Sequence, residues 1–206
     1  VRTHLSEFVA VQCRTDLGAA RVDVASEVLS GFVDGGKCVR STFMYLGWLC
    51  GASHDEAALR ASASLELFHA FALMQDDVMD ESALRRGRPA AHVLFSRWHR
   101  ERALTGASGR FGESAAVLLG DLCLVWASKM LRESGIGADA LARVWPRYDD
   151  MRIELAIGQF ADLANDSHAF PTLDEVLDVL RRKSGNYTVR RPLEIGAATS
   201  GCSPEV

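Results

Sequence analysis

The chain has 206 residues, 48% hydrophobic and 24% charged, with a formal net charge of −4. That length supports one sizeable domain with a real core, and the composition excludes a disordered chain. The mild acidity gives no electrostatic footprint for nucleic acid, so any anionic ligand must meet a local cluster of Lys and Arg. Five cysteines (Cys13, Cys38, Cys50, Cys123, Cys202) are scattered and form no CxxC pair. This argues against a disulfide framework or zinc site and for a reducing, cytoplasmic compartment, with most of them serving as small buried hydrophobes. No apolar run is expected to span a membrane; the best, 43–52, is short and broken by Gly47. Val1 opens a polar, mixed-charge segment and not a signal peptide. The missing initiator Met and the stop at Val206 point to part of a longer chain.

In chain order, 5–33 reads as one or two amphipathic helices, with Val22, Ala25, Val28, Leu29 and Phe32 at helical spacing. Gly35-Gly36 breaks the pattern and leads directly into Lys37 and Arg40. An apolar helix over 41–50 is closed by Gly51, and Ser53 is the expected N-cap of the next, with Glu56 as its capping-box partner. That helix should run to about Ser82. Residues 85–89 form a basic turn, with Pro89 in the first turn of a helix reaching about Ala103. The Gly/Ser-rich stretch 105–112 reads as a loop. Helices are expected over 114–132 and 138–164, separated by Gly135 and Gly137. Pro171 ends a loop, Thr172 caps a further helix, and 183–200 continues helically with a kink near Pro192. There is no alternating strand pattern and no repeat, so the prediction is one all-α domain over 1–206, a bundle of long helices.

The informative stretch is LELFHAFALMQDDVMDESALRRGRPAAH, residues 65–92. Glu66, His69, Leu73, Asp76 and Asp80 fall three or four apart and share one helix face, while the other faces are mostly apolar. Burying unpaired carboxylates is costly, so something cationic should meet them. Magnesium takes one or two protein carboxylates and completes its shell with waters and substrate phosphates, which suits Asp76 and Asp80 one turn apart. Arg85 and Arg86 follow, with guanidinium forks suited to phosphate oxygens. Alone, DDxxD is short and degenerate and fits a solvated acidic face equally well. His69, two turns before Asp76 on the same face, and the small anion site of Lys37 and Arg40 favour a cavity.

GGKCVRS, ELFH with DDVMDESALRRGRPAAH, IGQFADL and KSGNYTVRRPLEIGA occur in the order found in trans-isoprenyl diphosphate synthases. From Phe32 onward the chain resembles that family. The resemblance implies an isoprenoid-synthase-type bundle of long antiparallel helices around a central cavity, with the C-terminal part missing. It also implies the Mg2+-dependent, head-to-tail condensation of isopentenyl diphosphate with an allylic diphosphate, in a homodimer. It assigns Asp76 and Asp80 as metal ligands, with Asp77 supporting. Arg85, Gln159, Lys183 and Ser184 would bind the allylic diphosphate; Lys37, Arg40, His69 and Arg86 would bind isopentenyl diphosphate. Asp162 and Tyr187 would lie near the same cavity, although ordinary helix-face and core use would explain Gln159, Asp162 and Tyr187 without it. A bulky Phe71 followed by small Ala72, five and four residues before Asp76, resembles the pattern of C20 synthases and not C15 synthases.

Two departures stand out. GGKRxRP has become GGKCVRS, losing an Arg and the Pro at Cys38 and Ser41. The family's second aspartate-rich motif is absent, and Asp149-Asp150, with Glu154 nearby, reads as the exposed start of a helix and no substitute for it. The leading expectation is a short-chain prenyltransferase. The alternatives are a non-catalytic, prenyl-diphosphate-binding partner subunit and a class I terpene cyclase, which would leave Lys37, Arg40 and Arg86 without a purpose.

Overall fold

The computed structural model describes residues 1–18, 23–166 and 170–202, so Val22 and Val206 lie outside the described residues. Among the described residues the chain is all-α apart from a ladder of two two-residue strands. In order, the elements are α1 (Arg2–Gln12), α2 (Asp23–Asp34), α3 (Val39–Leu49), α4 (Glu56–Met79), β1 (Leu84–Arg85) and β2 (Arg88–Pro89). They continue with α5 (Ala91–Glu101), α6 (Ser108–Arg132), α7 (Ala138–Asp166), α8 (Leu173–Val179) and α9 (Arg191–Ser200). Two π-helical stretches, Cys13–Leu17 and Leu180–Arg190, extend α1 and join α8 to α9. The described residues form two compact units, one of Val1–Cys38 with Ala63–Glu133, the other of Val39–Ser62 with Ser134–Val206.

In the first unit the core helix is α4 from Ala63 onward. It has no Gly or Pro, is rich in Ala and Leu, and buries Leu65, Leu67, Phe68, Ala70 and Met74. Its N-cap is Asp55 and not Ser53: the Asp55 carboxylate accepts from the N–H groups of Ala57 and Ala58 at 2.5 and 3.1 Å. Its end falls short of Ser82. Ser82 N–H reaches the Asp77 carbonyl at 2.9 Å and Glu81 N–H reaches that of Val78 at 3.4 Å, the two bonds of a Schellman cap. Glu81 takes the left-handed position with φ 51°, a conformation that usually calls for Gly. Asp80 is therefore the last residue of the turn, still bonded N–H to the Asp76 carbonyl at 2.9 Å.

Residues 108–112, expected in a loop, belong to α6. Gly112 is there for close packing: a Cβ would strike Ser96 Oγ and the His92 carbonyl of α5. At the other end of α6, Trp126 Nε1 donates to Asp16 at 3.0 Å and Lys129 to Gln12 at 2.7 Å, tying it to α1 and its π-helical extension. α6 also corrects the expectation about apolar runs. By length and composition alone it is long and apolar enough to cross a membrane. Its buried residues, Ala116, Leu119, Cys123, Trp126, Ala127 and Met130, recur at three and four like those of a core helix. Burial pushes the Cys123 thiol up to about 12, so it stays protonated. Of the five cysteines, Cys38 and Cys123 are buried; Cys50 is exposed.

In the second unit α3 and α9 touch backbone to backbone, because Gly47 lies against the Leu193 carbonyl and Gly196 against that of Met44. Arg143 of α7 donates to the Ala198 and Thr199 carbonyls at 2.7 and 3.2 Å, satisfying the free end of α9. Thr172 caps α8 with a complete capping box to Glu175, as its sequence position requires. The kink expected near Pro192 appears as a change of helical register. Pro192 has no N–H to give and its ring would crowd the preceding turn. The π-helical stretch ends just before it, with Arg191 N–H bonded to the Asn186 carbonyl five residues back.

Candidate active site

The hairpin that follows α4 delivers Arg85. Leu84 pairs with Pro89 and Arg85 with Arg88, so Pro89 sits in a ladder and not in the first turn of α5. The two turn residues, Arg86 and Gly87, both have positive φ (53° and 75°), as a type I′ turn demands. Two-residue strands carry no readable alternation, which is why the sequence showed only a basic turn.

Arg85 closes on the aspartates. Its Nε donates to Asp77 Oδ1 at 2.8 Å, and its terminal nitrogen lies 2.5 Å from the same oxygen and 2.9 Å from Asp76 Oδ2. Asp77 is fully buried. That burial pushes its carboxyl above the usual Asp range, and the pull of Arg85 only partly offsets it. Burial works to lower the Arg85 guanidinium, but Asp77 and Asp76 outweigh it and hold the charge on.

Asp77 therefore anchors Arg85 through Oδ1, while its Oδ2 is buried and makes no hydrogen bond among the described residues. Asp76 is half-buried beside it and Asp80 exposed at the end of the turn, which gathers carboxylates of the kind a hard cation takes. No group of three His, Cys, Asp or Glu among the described residues could cage a metal alone. That donor set fits magnesium, which takes few protein ligands and fills its shell with water and phosphate oxygens.

Arg86 lines two cavities in this unit. The smaller also touches Gly36, Glu66 and His69. The larger, about 680 Å³, adds Arg85, Arg88, Arg97 and Arg102, with Trp98 on its wall. The Gly-Gly pair does more than break a helix. A side chain at Gly35 would crowd the Arg86 guanidinium, which donates to the Phe32 carbonyl at 3.2 Å, whereas a Cβ at Gly36 would only touch it. Arg88, Arg97 and Arg102 were missed in the sequence, where RRGR was read only for its first two arginines. Lys37 is exposed at the end of this unit, and Phe71, half-buried, stacks on Phe68 at 5.7 Å with Ala72 beside it.

In the second unit Lys183 pairs with Asp162 of α7 at 2.5 Å. Gly158, one turn earlier, lets the two backbones meet: a Cβ there would lie 2.9 Å from Lys183 N. Ser184 is exposed and Gln159 half-buried. Arg40 stacks over the ring of buried Tyr187. Asp149 and Asp150 are exposed, but in the middle of α7 and not at its start, and Arg152 pairs with Asp149. Glu154 is occupied elsewhere, accepting from Asn186 at 2.5 Å and Arg191 at 2.7 Å. Burial alone would raise its carboxyl, but these partners hold it below the usual range.

A model of the polyprenyl synthetase family matches residues 22–206. The chain is 30% identical over 172 residues to the short chain isoprenyl diphosphate synthase of Methanocaldococcus jannaschii, covering 83% of this chain and 46% of that protein. It is 29% identical over 192 residues to the nonaprenyl diphosphate synthase of Mycobacterium tuberculosis, covering 93% of this chain and 50% of that one. Among solved structures it is similar to the geranylgeranyl pyrophosphate synthase of Corynebacterium glutamicum, complexed with isoprenyl diphosphate and magnesium. The TM-score is 0.92 at 37% identity, over 99% of this chain and 59% of that one. The chain spans about half the length of the curated relatives it matches. With the family model matched over nearly the whole sequence, the chain belongs to the polyprenyl synthetase family.

Proposed function

We propose that the protein condenses isopentenyl diphosphate head-to-tail with an allylic diphosphate to give a short-chain prenyl diphosphate, C20 in preference to C15. The observation that carries this reading is Arg85 drawn onto Asp76 and Asp77 at the end of a buried helix, in a chain of this family. Both units carry parts of the match, which supports one functional domain over 1–206.

In this reading Asp76 and Asp80 hold Mg2+, which supplies positive charge to the leaving diphosphate. Arg85 and Lys183 bind the allylic diphosphate oxygens, with Gln159 and Ser184 as further polar contacts. The C1–O bond breaks with its electron pair leaving on the diphosphate. The isopentenyl double bond, positioned through Lys37, Arg40, His69 and Arg86, then bonds to C1. The isopentenyl unit then gives up a proton to the released diphosphate, which restores a double bond. Phe71 and the apolar faces of α4 exclude water that would capture the cation, and Phe71 with Ala72 limits chain growth. A second copy of the chain is the proposed partner. The exposed Leu118 and Val125, seven apart on α6, support an apolar contact face.

The test is elongation by the full-length protein, given Mg2+, labelled isopentenyl diphosphate and C5, C10 or C15 allylic primers. A C20 product supports the reading, and no elongation from any primer rejects it.

A further inference from the structure

Arg40 sits in the first turn of α3, with its guanidinium carbon 4.1 Å from the centroid of the Tyr187 ring. One terminal nitrogen donates to Thr188 Oγ1 at 3.0 Å. Tyr187 is only 3% exposed and belongs to the π-helical stretch packed against α7, so its ring face is a fixed surface. The stack sets the plane of the guanidinium, and the Thr188 bond sets its rotation within that plane. Arg40 Nε is buried and makes no hydrogen bond among the described residues. Such a donor is costly to leave unmade, and an anionic oxygen would relieve it.

We propose that Tyr187 and Thr188 are positioning residues for Arg40, holding its unused donors ready for the oxygens of isopentenyl diphosphate. This deepens the functional reading above and rests on its assignment of Arg40. The widened helical turn matters because it carries Tyr187 and Thr188, consecutive residues, to the same guanidinium: one meets its face, the other its edge. The sequence change from GGKRxRP to GGKCVRS leaves Arg40 as the arginine of that motif, which makes its orientation more consequential.

The test compares KM for isopentenyl diphosphate with KM for the allylic primer in the full-length protein. The variants are Arg40→Ala, Tyr187→Leu, Tyr187→Phe, Thr188→Val and the Arg40→Ala/Tyr187→Leu double variant. Arg40→Ala and Tyr187→Leu should each raise the isopentenyl KM about tenfold, the scale of a desolvated cation–π contact. Thr188→Val should raise it about threefold, the scale of one intramolecular hydrogen bond, because the ring of Tyr187 still holds the guanidinium plane. The allylic KM should stay within about twofold. Tyr187→Phe, which keeps the ring, should recover most of the loss, and Tyr187→Leu should add nothing once Arg40 is gone. Additive effects, or equal shifts in both KM values, would overturn the proposal. If Tyr187→Leu unfolds, Thr188→Val decides, and an unchanged isopentenyl KM there rejects it. A silent Arg40→Ala in an active enzyme removes the Arg40 assignment as well. An impaired Arg40→Ala beside normal Tyr187 and Thr188 variants removes the positioning role alone.

Discussion

Lys183 Nζ lies 2.5 Å from Asp162 Oδ2, so a carboxylate of α7 already holds the cation proposed for the allylic diphosphate. An ammonium has three donors, so the bond to Asp162 does not by itself exhaust it. Lys183→Ala should therefore lower kcat/KM for the allylic primer by about a hundredfold, and Asp162→Asn by less, about three- to tenfold. Steady-state kinetics with the primer varied checks this; near-normal kcat/KM in Lys183→Ala would take Lys183 out of the site.

Asp77 has a structural role before any catalytic one. It is fully buried and holds Arg85, so Asp77→Ala leaves a half-buried guanidinium with only Asp76. Removing one partner of a buried pair costs about 3–5 kcal/mol. The remaining Asp76 contact and the partial exposure of Arg85 reduce this to roughly 2 kcal/mol. Urea unfolding of Asp77→Ala measures it directly, and an unchanged midpoint would show that Arg85 needs no anchor.

Glu154 links stability to pH. Its folded carboxyl is depressed by Arg191 and Asn186, despite the opposing effect of burial. A depressed folded value means that its contribution is complete above the ordinary Glu value of about 4.3 and is lost as pH falls through the folded value. The stability gap between the wild type and Glu154→Gln should therefore be constant near neutral pH. It should narrow from about pH 5 downward. Urea midpoints from pH 7 to 3 test this, and a gap that widens on acidification would contradict the ion-pair account.

Phe71 stacks on buried Phe68 one helical turn away, which fixes the ring in place. If it forms the floor of the product channel, Phe71→Ala should shift the product beyond C20 by one or more C5 units. Chromatographic sizing reads the outcome, and an unchanged product length places the floor on another residue.

What the sequence revealed was set by how local each signal is. The shared face of Asp76 and Asp80 follows from helical period, and the capping box at Thr172 from a spacing of three. Asp55 and Ser53 both precede the same apolar run, and only the geometry shows which one turns toward the free N–H groups. Gly112 looked like loop punctuation because composition cannot distinguish a flexible glycine from one demanded by a neighbouring helix. The site shows the same limit: the aspartates and Arg85 lie within one short stretch. The pairings of Lys183 with Asp162 and of Arg40 with Tyr187 join residues distant in sequence, and no spacing rule reports them.

The most direct measurement is the magnesium-dependent rate of elongation by the full-length protein beside its Asp76→Ala and Asp80→Ala variants. The account predicts C5-unit elongation of an allylic primer by the wild type. It also predicts a loss of at least about a hundredfold in each variant, because both remove charge stabilisation of the leaving diphosphate. Near-normal rates in both variants, or no elongation by the wild type from any primer, would contradict it.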